Sequence, residues 1–335
     1  MRFRNTHYDF TVLTFMWTQQ NYLLTRCCKW LARTIDGLVV WRVGLSEQQF
    51  RWVLVGPSIL LLLLLSVYPT GSAFYMSLHR WDATDIDKPF IGLDNYKNLL
   101  YNDGRFINSM VQTGIMGGIA LFLQMVIGLG FALLFSGDFK GKRALTTVYL
   151  IPMMISPVVV GFTARMAFTN VYGFVPQILD WILQRETGIM WLSNIFWAKV
   201  VVILSDTWQW SPFVFMIIFS GLATLPYEPY EAADVDGANW LQIFWYITLP
   251  QLRYILLVAV LIRGLDLLKL FDVILLSTRA GPGIATETIS VYIYNLGFRF
   301  WTLGYASAAS FLLLAVVMVI ATILIRVIGG VGEVR

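Results

Sequence analysis

Long apolar runs separated by short polar connections set the plan of this 335-residue chain. Trp52 to Met76, Ser109 to Gly137, Thr146 to Phe168, Phe196 to Leu222, Arg253 to Thr278 and Tyr305 to Ile328 each supply the roughly 20 mainly apolar residues that a helix needs to cross a bilayer. A transmembrane barrel would show short segments of alternating polarity, and these are absent. The pattern predicts an all-α integral membrane protein with six transmembrane helices. Pro152 and Pro157 should bend the third of them, which membrane helices tolerate.

Composition agrees. The apolar fraction is 58%, the charged fraction 13% and the mean hydropathy +0.68, against a charged fraction of about 25% in soluble domains. Residues 1–51 read as a cytoplasmic N-terminal extension, 52–328 as the six-span domain and 329–335 as a cytoplasmic tail. The extension carries Arg2, Arg4, Arg26, Lys29, Arg33, Arg42 and Arg51, and the second connection on that side carries Lys140, Lys142 and Arg143. Lys and Arg concentrate in cytoplasmic loops, so both termini are expected in the cytoplasm. Arg326 and Arg335 agree, while Arg80, Lys88, Lys97 and Arg105 on the first outer loop weaken the asymmetry.

The extension is not a secretory signal, because its long apolar run starts only at Trp52. Two readings stay open for it: an interfacial helix using Trp17, Trp30, Leu31 and Trp41, or disorder. Cys27 and Cys28 are adjacent and on the expected cytoplasmic side, which argues for free thiols. His7 and His79 are far apart, so no metal site is expected.

One connection is unlike the others. Residues 223–252 form a long polar loop containing Glu228, Glu231, Asp234 and Asp236, on the expected cytoplasmic side. Pro226 and Pro229 mark the exit from the fourth span, acids lie near a helix start where the dipole favours them, and Gly237 permits a turn that a Cβ would resist. A short helix across the cytoplasmic face is expected. Ala232 and Ala233 would admit another surface closely, Trp240, Phe244, Trp245 and Ile247 would pin the next segment against the bundle, and Pro250 would open the fifth span. A solvated charge run is the bland reading of the acids; a basic partner surface is the sharper one.

Here the chain resembles a known family. Glu231-Ala232-Ala233, then Gly237, then Ile247, Leu249 and Pro250 fit the signature Glu-Ala-Ala, three residues, Gly, nine residues, Ile-x-Leu-Pro of the membrane subunits of binding-protein-dependent ABC importers. Ile91-Gly92-Leu93-Asp94-Asn95-Tyr96, Trp208-Gln209-Trp210-Ser211-Pro212-Phe213, Ala280-Gly281-Pro282-Gly283 and Thr286-Glu287-Thr288 extend the likeness to the carbohydrate type, similar to the first membrane subunit of the maltose transporter. The resemblance implies the type I importer architecture and a coupling helix formed by Glu231, Ala232, Ala233, Asp234 and Gly237, followed by Ile247, Leu249 and Pro250. It implies as partners a second homologous permease subunit, a dimer of cytoplasmic ABC ATPases carrying ATP and Mg, and an extracytoplasmic solute-binding protein. No Walker-type phosphate loop occurs in this chain, so no cofactor is expected in it, nor any nucleic-acid partner. No internal repeat argues for a gradient-driven carrier.

Charges inside the spans give the candidate substrate path. Arg263, Asp266, Lys269 and Asp272 recur every three residues in the fifth span, where a lone charge costs at least about 2.5–3.5 kcal/mol. Each acid would have a base one turn away on one broad side of the helix. That side is either an electrostatic seam between subunits or a polar wall for sugar hydroxyls. Asp206, Trp208, Gln209, Trp210 and Phe213 in the fourth span form a second candidate wall, against the reading that they are ordinary packing or interface residues. The resemblance places the path between these spans, although Leu267 and Leu270 stand where the maltose subunit has amides, so its pocket does not transfer whole. The candidate path residues are Asp206, Trp210, Phe213, Arg263, Asp266 and Lys269. Arg80, Trp81, Tyr96, Trp181 and Trp191 are candidate outer contacts for a binding protein. The alternatives are an importer of a polyol or glycerol phosphate, and a channel or receptor whose acidic loop recruits a regulator.

Overall fold

The computed structural model describes residues 46–332. The readings for residues 1–45 and for Arg335 lie outside the described residues. By internal packing the chain divides between Ser72 and Ala73. Helix α1 (Glu47–Ser77) runs through that point. Its start is a capping box: the Ser46 hydroxyl accepts from the Gln49 amide at 3.3 Å, and the Gln49 side chain accepts from the Ser46 amide at 2.9 Å. Leu60 to Leu65 are all exposed, the surface a helix presents to lipid rather than water.

Beyond Ala73 the elements are α2 (Gly104–Ser136), α3 (Lys142–Leu150), α4 (Pro157–Phe168), α5 (Phe174–Leu183), α6 (Ile195–Leu222), α7 (Glu228–Val235), α8 (Leu249–Leu267), α9 (Asp272–Ser277), α10 (Ile289–Tyr294) and α11 (Leu303–Gly332). Among the described residues there are isolated β-bridges but no strand. Five helices among the described residues are long and apolar enough to cross a membrane, or six if one bent pair counts as a single span.

That bent pair is the third span, bent at the prolines as expected. Lys142–Met154 and Pro157–Phe168 meet at 94°. Ile155 and Ser156 are extended, each with ψ 136°, because the Pro157 ring drives the residue before it out of the helical region. The Ile155 carbonyl, freed by the break, accepts from the buried Gln209 amide nitrogen at 2.8 Å.

The fifth span, Trp240–Leu267, ends early, against the expectation of one helix to Thr278. Helix α8 stops at Leu267, residues 268–271 leave the helix, and α9 restarts at Asp272. In a membrane each freed backbone group needs an internal partner; the Leu270 carbonyl finds the Thr288 hydroxyl at 2.8 Å.

The two interruptions pack on each other. A Cβ on Gly161 of α4 would lie 2.9 Å from the Leu276 Cβ and 3.2 Å from the Asp272 carbonyl oxygen. Helices α2 and α6 approach as closely, since a Cβ on Gly128 would lie 2.8 Å from Val214 Cγ1 and 3.0 Å from the Phe215 nitrogen. In lipid, such small residues gain helix association through dispersion and short backbone distances rather than through water exclusion. Around them lie two apolar clusters, one of Met116, Ala120, Val202, Leu267 and Ile274, the other of Ala132, Phe135, Val214, Phe215, Ile218 and Leu252. Both contain residues of α2, α6 and α8, so these three helices frame the polar groups described next.

Candidate functional site

Two constellations stand out, one on a surface loop and one inside the bundle. Helix α7 has Pro229 in its first turn, where a missing N–H costs nothing, and Glu228 and Glu231 near its positive end. Its other end is a Schellman motif: the Ala238 amide donates to the Ala233 carbonyl at 2.9 Å and the Gly237 amide to the Asp234 carbonyl at 3.2 Å. Gly237 sits at φ +74°, the left-handed conformation that motif requires. A capping box follows directly, with the Asn239 and Gln242 side chains each bonded to the other's backbone amide.

The loop is therefore a defined helix and turn. Glu231, Ala232, Asp234, Val235, Asp236 and Gly237 are exposed. Ala233 is 8% exposed and faces inward, so the open small residue is Ala232 alone. The Tyr230 hydroxyl donates to the Thr248 hydroxyl at 3.2 Å and ties α7 to the segment below. Between them opens a cleft of about 590 Å³ lined by Lys142, Phe219, Tyr227, Tyr230, Trp240 and Phe244.

The expected pinning by aromatics is half right in geometry. Phe244 and Ile247 are half-buried, but Trp240 and Trp245 are 68% and 57% exposed. Phe244–Thr248 is a π-helical turn, whose wider i to i+5 spacing turns Trp245 off the face that Phe244 and Ile247 share. Leu249 is half-buried and Pro250 exposed in the first turn of α8.

The second constellation joins two walls that the chain pattern presents separately. The Asp206 carboxylate of α6 accepts from Arg263 Nη2 of α8 at 2.6 Å and from Gln124 Nε2 of α2 at 2.7 Å. Arg263 Nε donates to Gln124 Oε1 at 2.9 Å, closing a ring across three helices. Arg263 Nη1 donates to Asp266 at 3.1 Å. The Trp210 ring lies over the guanidinium at 4.8 Å, and Phe213 meets Trp210 edge to face at 6.0 Å. Gln124, Asp206 and Arg263 are buried, at 0%, 1% and 3% exposure, whereas the Asp266 side chain is 50% exposed.

Five of the six candidate path residues thus come together. Lys269 does not: it is exposed and forms no ion pair among the described residues, because the helix ends before it and its three-residue spacing from Asp266 no longer sets direction. Asp272 likewise belongs to α9. Trp208 points away and is 51% exposed, and Gln209 serves the third-span bend. Gln124 was missed. Its signal was there: it is the lone polar side chain in the apolar stretch from Ile115 to Phe135, and isolated polar groups in spans face partners.

A further clasp holds the far ends of α2, α10 and α11. Glu287, fully buried, receives Arg105 Nε and Nη2 at 2.7 Å each and Asn295 Nδ2 at 2.9 Å. Arg105 therefore lies in the first turn of α2 rather than as a free loop charge. Beside it Asp103 caps α2 by accepting from the Arg105 and Phe106 amides at 3.0 and 2.9 Å, and from the Tyr305 hydroxyl at 3.0 Å. Burial pushes the Asp103 carboxyl up, but these bonds together with that of the Tyr292 hydroxyl hold it below its ordinary range. Glu287→Gln is expected to cost about 1–3 kcal/mol, since Arg105 then faces a neutral amide with one acceptor; the fall of the thermal midpoint in detergent measures it.

Of the candidate outer contacts, Trp191 is 6% exposed inside a cluster with Phe168 and Trp197, and Tyr96 bonds the Ser77 hydroxyl at 2.7 Å. Both are packing residues. Trp181 is 74% exposed, Arg80 is exposed, and Lys88 lies 4.3 Å over the Trp81 ring.

Comparison with known proteins places these features in context. A family described as the binding-protein-dependent transport system inner membrane component matches residues 124–330, a stretch containing both the acidic loop and the whole ring around Arg263. The trehalose/maltose transport system permease protein MalF of Thermococcus litoralis is 30% identical over 296 residues, covering 88% of this chain and 98% of that protein. The sulfoquinovosyl glycerol transport system permease protein SmoG of Agrobacterium fabrum is 32% identical over 287 residues, covering 85% and 92%. In fold, the chain matches a solved bacterial ABC transporter involved in the import of the acidic polysaccharide alginate, with a TM-score of 0.73 at 24% identity over 86% of this chain and 98% of that one.

Proposed function

The chain belongs to the family of inner membrane components of binding-protein-dependent transport systems, and from that premise we propose that it is one permease subunit of an ATP-driven sugar importer. It forms half of a translocation path with a second, homologous permease subunit. Two cytoplasmic ATPases bind ATP and Mg²⁺ and supply the energy, and an extracytoplasmic binding protein delivers the solute. Both termini lie in the cytoplasm, as does α7. The sugar assignment draws on relatives such as the trehalose/maltose permease; a solved alginate transporter stands in complex with an alginate-bound periplasmic protein.

The observation that carries the reading is α7 itself. Its acids and Ala232 are exposed on a helix capped firmly at its C-terminal end, so it is a rigid projection and not a loose loop. A basic groove closing on Glu231 and Asp234 would push α7, and the push passes through Tyr230 to Thr248 at the foot of α8. Helix α8 carries Arg263, so motion of the loop reaches the buried ring along one rigid element.

A cysteine at Ala232 tests this directly. In membranes holding the assembled transporter, Ala232→Cys is expected to cross-link to a cytoplasmic ATPase through a short bifunctional reagent, and Ala233→Cys, facing inward, to do so at least fivefold less. No capture from either position would sink the coupling assignment.

A further inference from the structure

The family leaves the charge of the solute open, since one protein of this fold belongs to a transporter of an acidic polysaccharide while a relative's transporter takes trehalose or maltose. Resting on the reading that Asp206, Trp210, Phe213, Arg263 and Asp266 border the path, we infer that this path selects uncharged, hydroxyl-rich saccharides and turns acidic ones away. The inference comes from which groups of the ring are already used. Arg263 is the ring's only cation. Its Nε, Nη2 and Nη1 each already donate one hydrogen bond, to Gln124, Asp206 and Asp266, and Trp210 lies over its face. At 3% exposure its two remaining N–H groups are buried away from a carboxylate, sulfonate or phosphate in the path.

What the ring leaves open is of the opposite character. Asp266 is half-exposed, and a carboxylate at that depth must face water or a partner rather than lipid. The counted charges of Asp206, Arg263 and Asp266 sum to one negative charge. An open carboxylate accepts from sugar hydroxyls, which are good donors, while Trp210 and Phe213 supply ring faces for the apolar side of a pyranose. The same carboxylate repels an anion and attracts a cation in the path. Lys269, the next cation along the chain, stands past the end of α8 with its side chain exposed and outside the ring.

Reactivity of a thiol placed in this wall reads its potential without relying on the binding protein. The assembled transporter carries Phe213→Cys, with Cys27 and Cys28 replaced by Ser, and is exposed to a cationic and an anionic methanethiosulfonate. After correction for their rates with free cysteine, the cationic reagent is expected to react at least fivefold faster, and adding Asp266→Asn should bring the ratio to within twofold of unity. A neutral disaccharide at high concentration should slow labelling at least threefold, and a uronic-acid disaccharide at the same concentration should leave it unchanged. Equal corrected rates, or equal protection by both saccharides, overturns the charge selection and leaves the path reading standing. A thiol that no reagent reaches, or that no saccharide protects, removes the path reading and this inference with it.

Discussion

Arg263→Ala is expected to be among the most damaging single changes in the chain, lowering stability by about 3–5 kcal/mol and leaving little folded protein. Breaking a buried ion pair costs this much because the surviving ion keeps its desolvation penalty and loses its compensation. Here the survivor is Asp206, 1% exposed, with the Gln124 amide as its only remaining side-chain partner. A paired change separates charge from volume: Asp206→Asn with Arg263→Gln removes both ions, keeps polar groups facing Gln124, and should recover at least half of the lost stability. Fluorescence-detected gel filtration after heating would show it, and an Arg263→Ala protein as heat-resistant as the parent would overturn the account of the ring.

Gly237→Val should act on function with little effect on folding. A β-branched residue at φ +74° costs about 1–2 kcal/mol, yet nothing lies within 4 Å of an added Cβ. The strain is relieved only by undoing the turn, which loosens the Ala238 to Ala233 bond and lets α7 swing. In the proposed transporter, solute-stimulated ATP hydrolysis should fall at least tenfold while membrane insertion and the thermal midpoint stay near those of the parent. Gly237→Asn, which tolerates the left-handed region, should keep most of the stimulation. Full coupling in the Val variant would show that the aim of α7 does not matter.

How much of this was legible beforehand depended on what kind of information each feature needs. The apolar runs located the helices because in lipid the backbone must bond to itself, so length and polarity suffice. The acidic helix was legible too, since Pro229, the acids and Gly237 are local signals and act within a few residues of one another. The break after Leu267 was not. No Pro or Gly marks residues 268–271; the break depends on Thr288, far along the chain, accepting the task of bonding the Leu270 carbonyl. Nor could periodicity show that Arg263 answers Asp206, since the ring closes between helices whose separation in space is set by Gly128 and its neighbours. Spacing within one helix suggested instead that Lys269 was a partner, and the end of α8 removed it.

The ring also orders the making of the protein. Asp206 and Arg263 are 57 residues apart, so the carboxylate is synthesised well before its guanidinium. Each charge carries its own insertion penalty of roughly 2.5–3.5 kcal/mol, set against the apolar remainder of its span. Until Arg263 arrives, Gln124 in the earlier α2 is the only side chain of the finished ring able to shelter Asp206. Gln124 and Asp206, both earlier in the chain, are thus the two corners of the lock that are made before the third.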